Sequence, residues 1–215
     1  LDAILASAYG CAGERCLAGS VVLAVGDAHA RVRQGLVERI PAIRVGDGSQ
    51  KGVTMGPLIS ERHKEKVLSF IERGIEEGAE LLVDGRRGDL PDAGYFVGPC
   101  LFDKVSPEMA IAREEIFGPV LCLTPVDSLD GALEIIERHP LANASSIFTS
   151  GGAHAREFKY RVSASMLGVN IGVAAPMSFF GFGGAKGSFF GDLKAHGRES
   201  FDFFTDRKVV ISRWP

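Results

Sequence analysis

The sequence has few cysteines, no long apolar run and no excess of one charge. Its four cysteines in 215 residues, Cys11, Cys16, Cys100 and Cys122, are scattered. That spacing excludes the dense disulfide framework of a small secreted domain. Cys11 and Cys16 lie five apart, with no histidine following at zinc spacing, so no metal site is expected. No stretch approaches the ~18–20 apolar residues needed to cross a bilayer. The first ten residues carry Asp2 and no basic flank, so they do not read as a signal peptide. With 24 basic and 27 acidic side chains the formal charge is −3. The basic surface that phosphate binding requires is missing, and neither nucleic acid nor membrane is an expected partner. An initiator Met is also lacking: the chain opens at Leu1 inside an apolar stretch, which suggests part of a longer protein.

What is present is ordinary folded-protein composition, 46% hydrophobic and 24% charged. The length allows one large domain or two small ones and a full core. Free thiols in a slightly acidic protein suggest a reducing compartment: the bacterial cytoplasm, or as the second choice a mitochondrial matrix. Along the chain, helical and extended segments alternate. Apolar runs predict strands at Val21–Val25, Leu81–Val83, Val120–Val126, Ser145–Thr149 and Met166–Ile171, with Tyr95–Phe102 extended. Helices are predicted over Ala28–Ile40, from Ser60 to near Gly78, over Leu129–Glu137 and over Ala153–Arg161. Asp27 is the expected N-cap of the first of these, and Pro41 its stop. The alternation predicts an α/β fold, a mostly parallel sheet with flanking helices. The apolar Val209-Val210-Ile211 near the C-terminus has no hairpin partner close by. It predicts a strand that pairs with a distant edge or another subunit.

The best reaction-centre candidate is the segment Gly10-Cys11-Ala12-Gly13-Glu14-Arg15-Cys16. Small residues before Cys16 let backbone and substrate come close. Arg15 can favour the thiolate, the nucleophilic form. The alternative is a buried structural cysteine. A cysteine-peptidase site would need a histidine base. His29, His63 and His154 fall in predicted helices among polar residues, His139 at a helix end and His196 in a loop. All five read as solvated surface side chains.

Four blocks then carry a resemblance that covers nearly the whole chain. Gly13-Glu14-Arg15-Cys16, Met55-Gly56-Pro57-Leu58-Ile59-Ser60, Glu114-Glu115-Ile116-Phe117-Gly118-Pro119-Val120 and Phe182-Gly183-Gly184 followed by Lys186 resemble, in order and spacing, the aldehyde dehydrogenase superfamily. Glu14-Arg15 and the ending Phe189–Gly197 resemble its CoA-acylating branch, the methylmalonate-semialdehyde dehydrogenases. The resemblance implies the C-terminal part of such an enzyme. Residues 1–201 would form the catalytic domain and 202–215 a β oligomerisation tail. The N-terminal dinucleotide-binding domain would lie upstream of Leu1, so this chain alone is expected to be inactive.

By the same resemblance, Cys16 is the nucleophile that forms a thioester with the aldehyde. NAD is the cofactor, and coenzyme A the cosubstrate that resolves the thioester. The products would be propanoyl-CoA or acetyl-CoA, CO2 and NADH. Glu115 would bind the nicotinamide ribose, whose two hydroxyls suit a carboxylate that accepts twice, and Phe117 would pack near the nicotinamide. Arg15 would grip the substrate carboxylate through paired N–H donors; the alternative pairs it with Glu14 or another acid. Phe182 would line the substrate channel, with Phe179 and Phe180 as wall or core. Asn170 would satisfy loop backbone near the nucleophile. The glycines after Gly168 lack phosphate-loop spacing and read as tight turns. A homo-oligomer, dimer or tetramer, acting on a small semialdehyde is expected. Two alternatives stay open. One is a hydrolytic NAD(P) aldehyde dehydrogenase that yields a free acid. The other is a non-catalytic piece that keeps only assembly surfaces.

Overall fold

The computed structural model describes all residues 1–215. The elements run in chain order α1 (Asp2–Tyr9), β1 (Val21–Val25), α2 (Ala28–Arg39), α3 (Glu61–Glu76), β2 (Glu80–Val83), β3 (Cys100–Asp103), α4 (Ala110–Arg113), β4 (Val120–Val126), α5 (Leu129–Arg138), β5 (Leu141–Ala142), β6 (Ala144–Ile147), α6 (Gly152–Arg161), β7 (Met166–Val169), β8 (Ala185–Lys186) and α7 (Glu199–Phe203). The main sheet has the order β1-β4-β3-β2. Its first three strands are parallel, and β2 closes one edge antiparallel to β3. Two smaller pairs stand apart from it, parallel β6-β7 and antiparallel β5-β8.

The central strands β3 and β4 are buried along Cys100–Phe102 and Val120–Leu123, as continuous apolar runs of a sheet covered on both faces should be. Helix α3 turns Val67, Phe70 and Ile71 onto this core, and α2 adds Leu36. The spacing of these apolar residues on α3 is that of one helical face. Ser60 stops its backbone in the extended region, and its Oγ accepts the His63 N–H at 3.2 Å. Ser128 caps α5 in the same way, accepting from Gly131 N–H. Asp27 does not cap α2: its backbone is helical and its side chain makes no cap bond. A capping side chain needs the extended backbone seen at Ser60 and Ser128. A second cluster, Leu133, Phe158 and Val162, fixes α5 against α6.

The predicted extended segment Tyr95–Phe102 is a strand only from Cys100 onward. The apolar C-terminus forms no strand within this chain. Residues 204–215 carry neither helix nor strand and are exposed, including Val209, Val210, Ile211 and Trp214. Strand backbone needs a hydrogen-bonding neighbour, and no edge of this chain supplies one there. No helix is long and apolar enough to cross a membrane.

Candidate active site

Helix α1 ends at Tyr9, whose buried hydroxyl donates to the Cys100 carbonyl at 3.0 Å and so ties the helix to the start of β3. The chain then makes a tight turn over Gly10–Gly13 in which Cys11 (φ 53), Ala12 (φ 53) and Gly13 (φ 74) are all left-handed. Two consecutive non-glycine residues in that region are strained. Gly13 is required there for a second reason. A Cβ on it would lie 2.2 Å from the Gly118 carbonyl oxygen. The Gly10–Cys16 loop therefore rests directly on the backbone of the Glu114–Val120 block.

Beyond the turn, Cys16 is exposed. It lines a narrow cavity of about 50 Å³ together with Arg15, Glu115, Phe117 and Gly118. The Cys16 N–H makes no hydrogen bond within the chain. Its carbonyl accepts from Asn143 Nδ2 at 2.6 Å. Ser7 adds a second tie: its Oγ accepts from Gly19 N–H at 2.8 Å and donates to the Gly172 carbonyl at 2.7 Å.

Arg15 folds back under the end of α1. Its Nη2 donates to the Ala6 carbonyl, and to the Ser7 carbonyl at 3.3 Å, while Nε is buried and has no partner. Helix C-terminal carbonyls favour a cation, which accounts for the direction of the side chain. Arg15 is not paired with Glu14. That carboxylate instead accepts from Ile59 N–H at 3.2 Å and lies 3.4 Å from His63 Nε2.

On the far wall, Glu115 is exposed, and its carboxylate is unpaired, whereas Glu114 is engaged by Arg73. Phe117 is left-handed (φ 60), and its carbonyl accepts from His63 Nε2 at 2.6 Å. Lys66 Nζ donates to the Glu115 carbonyl at 3.0 Å.

Four of the five predicted site residues, Arg15, Cys16, Glu115 and Phe117, thus meet at one cavity. The fifth, Phe182, does not line it. Phe182 is half-buried, with its ring 5.9 Å from that of His196. Phe179 and Phe180 stack at 4.7 Å on the surface. Asn170 bonds both ways with the Thr149 backbone, at 2.9 and 3.0 Å, closing the ends of β6 and β7. The asparagine that bonds to Cys16 is Asn143.

Three histidines read as solvated are not. His63 ties into this site, His29 Nε2 lies 2.7 Å from Asp103, which is fully buried, and half-buried His139 has its Nε2 3.2 Å from the Ala112 carbonyl. The other two cysteines, Cys100 and Cys122, are buried in the sheet, and burial pushes each thiol up to about 12. Of the four thiols, only those of the Gly10–Cys16 segment are open to solvent.

Comparison with known proteins gives this cavity a context. A family profile described as the aldehyde dehydrogenase family matches residues 1–210. Malonate-semialdehyde dehydrogenase 2 of Geobacillus kaustophilus is 45% identical over 212 residues, covering 98% of this chain and 44% of its own length. Malonate-semialdehyde dehydrogenase of Bacillus subtilis is 46% identical, covering 99% of this chain and 43% of its own length. Among solved structures, methylmalonate-semialdehyde dehydrogenase from Oceanimonas doudoroffii superposes with a TM-score of 0.94 at 40% identity, over 100% of this chain and 44% of that one. An aldehyde dehydrogenase of Mycobacterium tuberculosis, solved with NAD+, gives 0.89 at 32% identity, over 95% of this chain and 42% of that one. The chain spans less than half the length of these relatives. A profile matched over nearly every residue, and a fold that superposes over the whole chain, leave one conclusion: the chain belongs to the aldehyde dehydrogenase family.

Proposed function

We propose that this chain is the catalytic portion of an NAD-dependent, CoA-acylating (methyl)malonate-semialdehyde dehydrogenase. The observation that carries the reading is the cavity shared by an exposed Cys16 and by Arg15, Glu115 and Phe117. The names of the relatives, malonate- and methylmalonate-semialdehyde dehydrogenase, support the substrate class. The acyl acceptor rests on the resemblance of Glu14-Arg15 and Phe189–Gly197 to the CoA-acylating branch.

In this reading Cys16 Sγ, as thiolate, bonds to the aldehyde carbon, and the carbonyl electron pair moves onto oxygen. The Cys16 N–H, unpartnered within the chain, would donate to that oxygen as an oxyanion donor. Bound NAD supplies the acceptor for the hydride that leaves the same carbon. Cys16 then holds the acyl group as a thioester, activated for attack by a second nucleophile. Its release as thiolate transfers the acyl group to the thiol of coenzyme A. The substrate's own carboxylate departs as CO2, and its bonding pair is left on the α-carbon, which takes up a proton.

The residues present fit the nicotinamide end of the cofactor. Glu115 offers an unpaired carboxylate to two vicinal hydroxyls, and Phe117 an accessible ring face. Arg15 offers the substrate carboxylate a buried Nε–H that nothing else uses. Phe182 enters only as the aromatic of the family's fourth block, a wall on the substrate's approach. Residues 202–215 are assigned to assembly with another subunit, and the bacterial cytoplasm is the proposed compartment.

The test is a full-length chimera that joins this chain to the upstream part of the Bacillus subtilis relative. Cys16→Ser should abolish NADH formation from methylmalonate semialdehyde. Arg15→Leu should raise its KM about 10- to 100-fold, the worth of charge-assisted hydrogen bonds of roughly 1.5–3 kcal/mol, and leave that of propanal nearly unchanged. Equal effects on both substrates would defeat the assignment of Arg15. Free acid in place of acyl-CoA as product would defeat the assignment of the acceptor.

A further inference from the structure

Behind the cavity stands a residue that does not line it but touches both of its sides, at Glu14 and at Phe117. His63 lies in the first turn of α3, with its side chain only 16% exposed. Its Nε2 is 2.6 Å from the Phe117 carbonyl and 3.4 Å from the Glu14 carboxylate. A carbonyl only accepts, so Nε2 carries the proton and donates it to Phe117 O, with the Glu14 carboxylate beside it at ion-pair distance. Its ring also meets that of Phe117 edge-on, with centroids 6.4 Å apart.

One helical turn on, Lys66 holds the Glu115 carbonyl, and just before the helix the Ile59 N–H holds Glu14. The start of α3 therefore grips both motifs, one at the residue preceding Arg15-Cys16 and the other at Glu115 and Phe117. A bulky residue such as Phe117 does not adopt φ 60 unaided. Such a conformation persists only where surrounding contacts over-determine it.

We propose that His63 is a positioning residue for the Cys16 site. By donating its Nε2–H to Phe117 O while standing 3.4 Å from the Glu14 carboxylate, it sets the spacing between the nucleophile loop and the Glu115–Phe117 wall. Loss of the ring frees Phe117 to relax toward negative φ. It also releases the Glu14 carboxylate toward Arg15 and Cys16, where an additional negative charge disfavours the thiolate. A glutamine side-chain amide retains an N–H that can reach the same carbonyl. The inference builds on the reading of Cys16 as nucleophile, and the experiment separates the two.

The experiment uses the 215-residue chain and iodoacetamide, with alkylation at Cys16 and Cys11 followed by peptide mass spectrometry. Cys11 serves as the internal reference because it is exposed on the same loop. His63→Ala should lower the Cys16-to-Cys11 rate ratio about threefold or more, a local effect of the released carboxylate. His63→Gln should restore most of it at a matched melting temperature. A wild-type ratio in His63→Ala overturns the positioning role, as does an equal loss in His63→Gln with unchanged Tm. Wild-type Cys16 reacting no faster than Cys11 tells instead against the nucleophile itself. The effect of His63→Ala on the ratio can still be read in that case.

Discussion

Replacing Gly13 by alanine separates two costs that the structure shows superimposed. The residue sits at φ 74, and its missing Cβ would stand 2.2 Å from Gly118 O, 2.5 Å from Gly118 C and 3.1 Å from Ala8 O. The left-handed backbone alone costs an alanine about 1–2 kcal/mol. The contact adds a second cost, because the atoms in the way are backbone and cannot rotate aside. Overpacking of that kind typically costs about 1–3 kcal/mol. Gly13→Ala should therefore destabilise the chain by about 2–5 kcal/mol in urea unfolding, a large share of the roughly 5–15 kcal/mol available to a folded domain. Gly26 supplies the control: it is also left-handed (φ 55), but a Cβ there meets nothing within 4 Å. Gly26→Ala should lose only the conformational part, about 1–2 kcal/mol. The difference between the two variants is the worth of the loop-to-loop contact. The same displacement should slow alkylation of Cys16, whereas Gly26→Ala should not alter it. If Gly13→Ala costs no more than Gly26→Ala, the Gly10–Cys16 loop is not seated on Gly118 as described.

The native chain should titrate two thiols with Ellman's reagent and four after unfolding, because Cys11 and Cys16 are exposed while Cys100 and Cys122 are buried with thiols pushed up to about 12; three or more fast thiols in the native state would contradict the sheet packing. Burial works against the Asp103 carboxylate, but hydrogen bonds from His29, the Lys104 N–H and Arg33 outweigh it and hold its pKa below the usual value. Its contribution is therefore complete above the unfolded carboxylate pKa of about 3.9 and is lost as pH falls through the lower folded value. Asp103→Asn should cost about 2 kcal/mol at pH 7 and flatten the acid limb of a urea-unfolding series, and an unchanged limb would refute the network. Removal of residues 202–215 should reduce the oligomer mass measured by light scattering, and a tail-deleted chain of unchanged mass would dismiss the assembly role.

Legibility from sequence divides along a physical line. Helices α3 and α5 can be read because their apolar residues repeat on one face and a serine stands before each, so everything needed is local. The chemistry-bearing blocks can be read for the same reason, since Gly13–Cys16 and Glu114–Val120 are each continuous in the chain. What holds the blocks to one another is not continuous. His63 and Phe117 are 54 residues apart, and Asn143 and Cys16 are 127 apart; no periodicity or composition joins such pairs. A hint existed at His63. The third position after a capping serine throws its side chain back toward the helix start, and the helix start follows directly on the Met55–Ser60 block. The same limit explains Asn170, whose residue type correctly suggested a backbone clamp while its location could not be inferred. It explains the C-terminus too, where β-branched residues state a preference for strand but cannot supply the neighbour a strand requires. The residues proposed to define the reaction are thus written in motifs. The residues that set distances within the site are ordinary polar side chains on elements between the motifs, and those are the positions where substitution should change rate without changing chemistry.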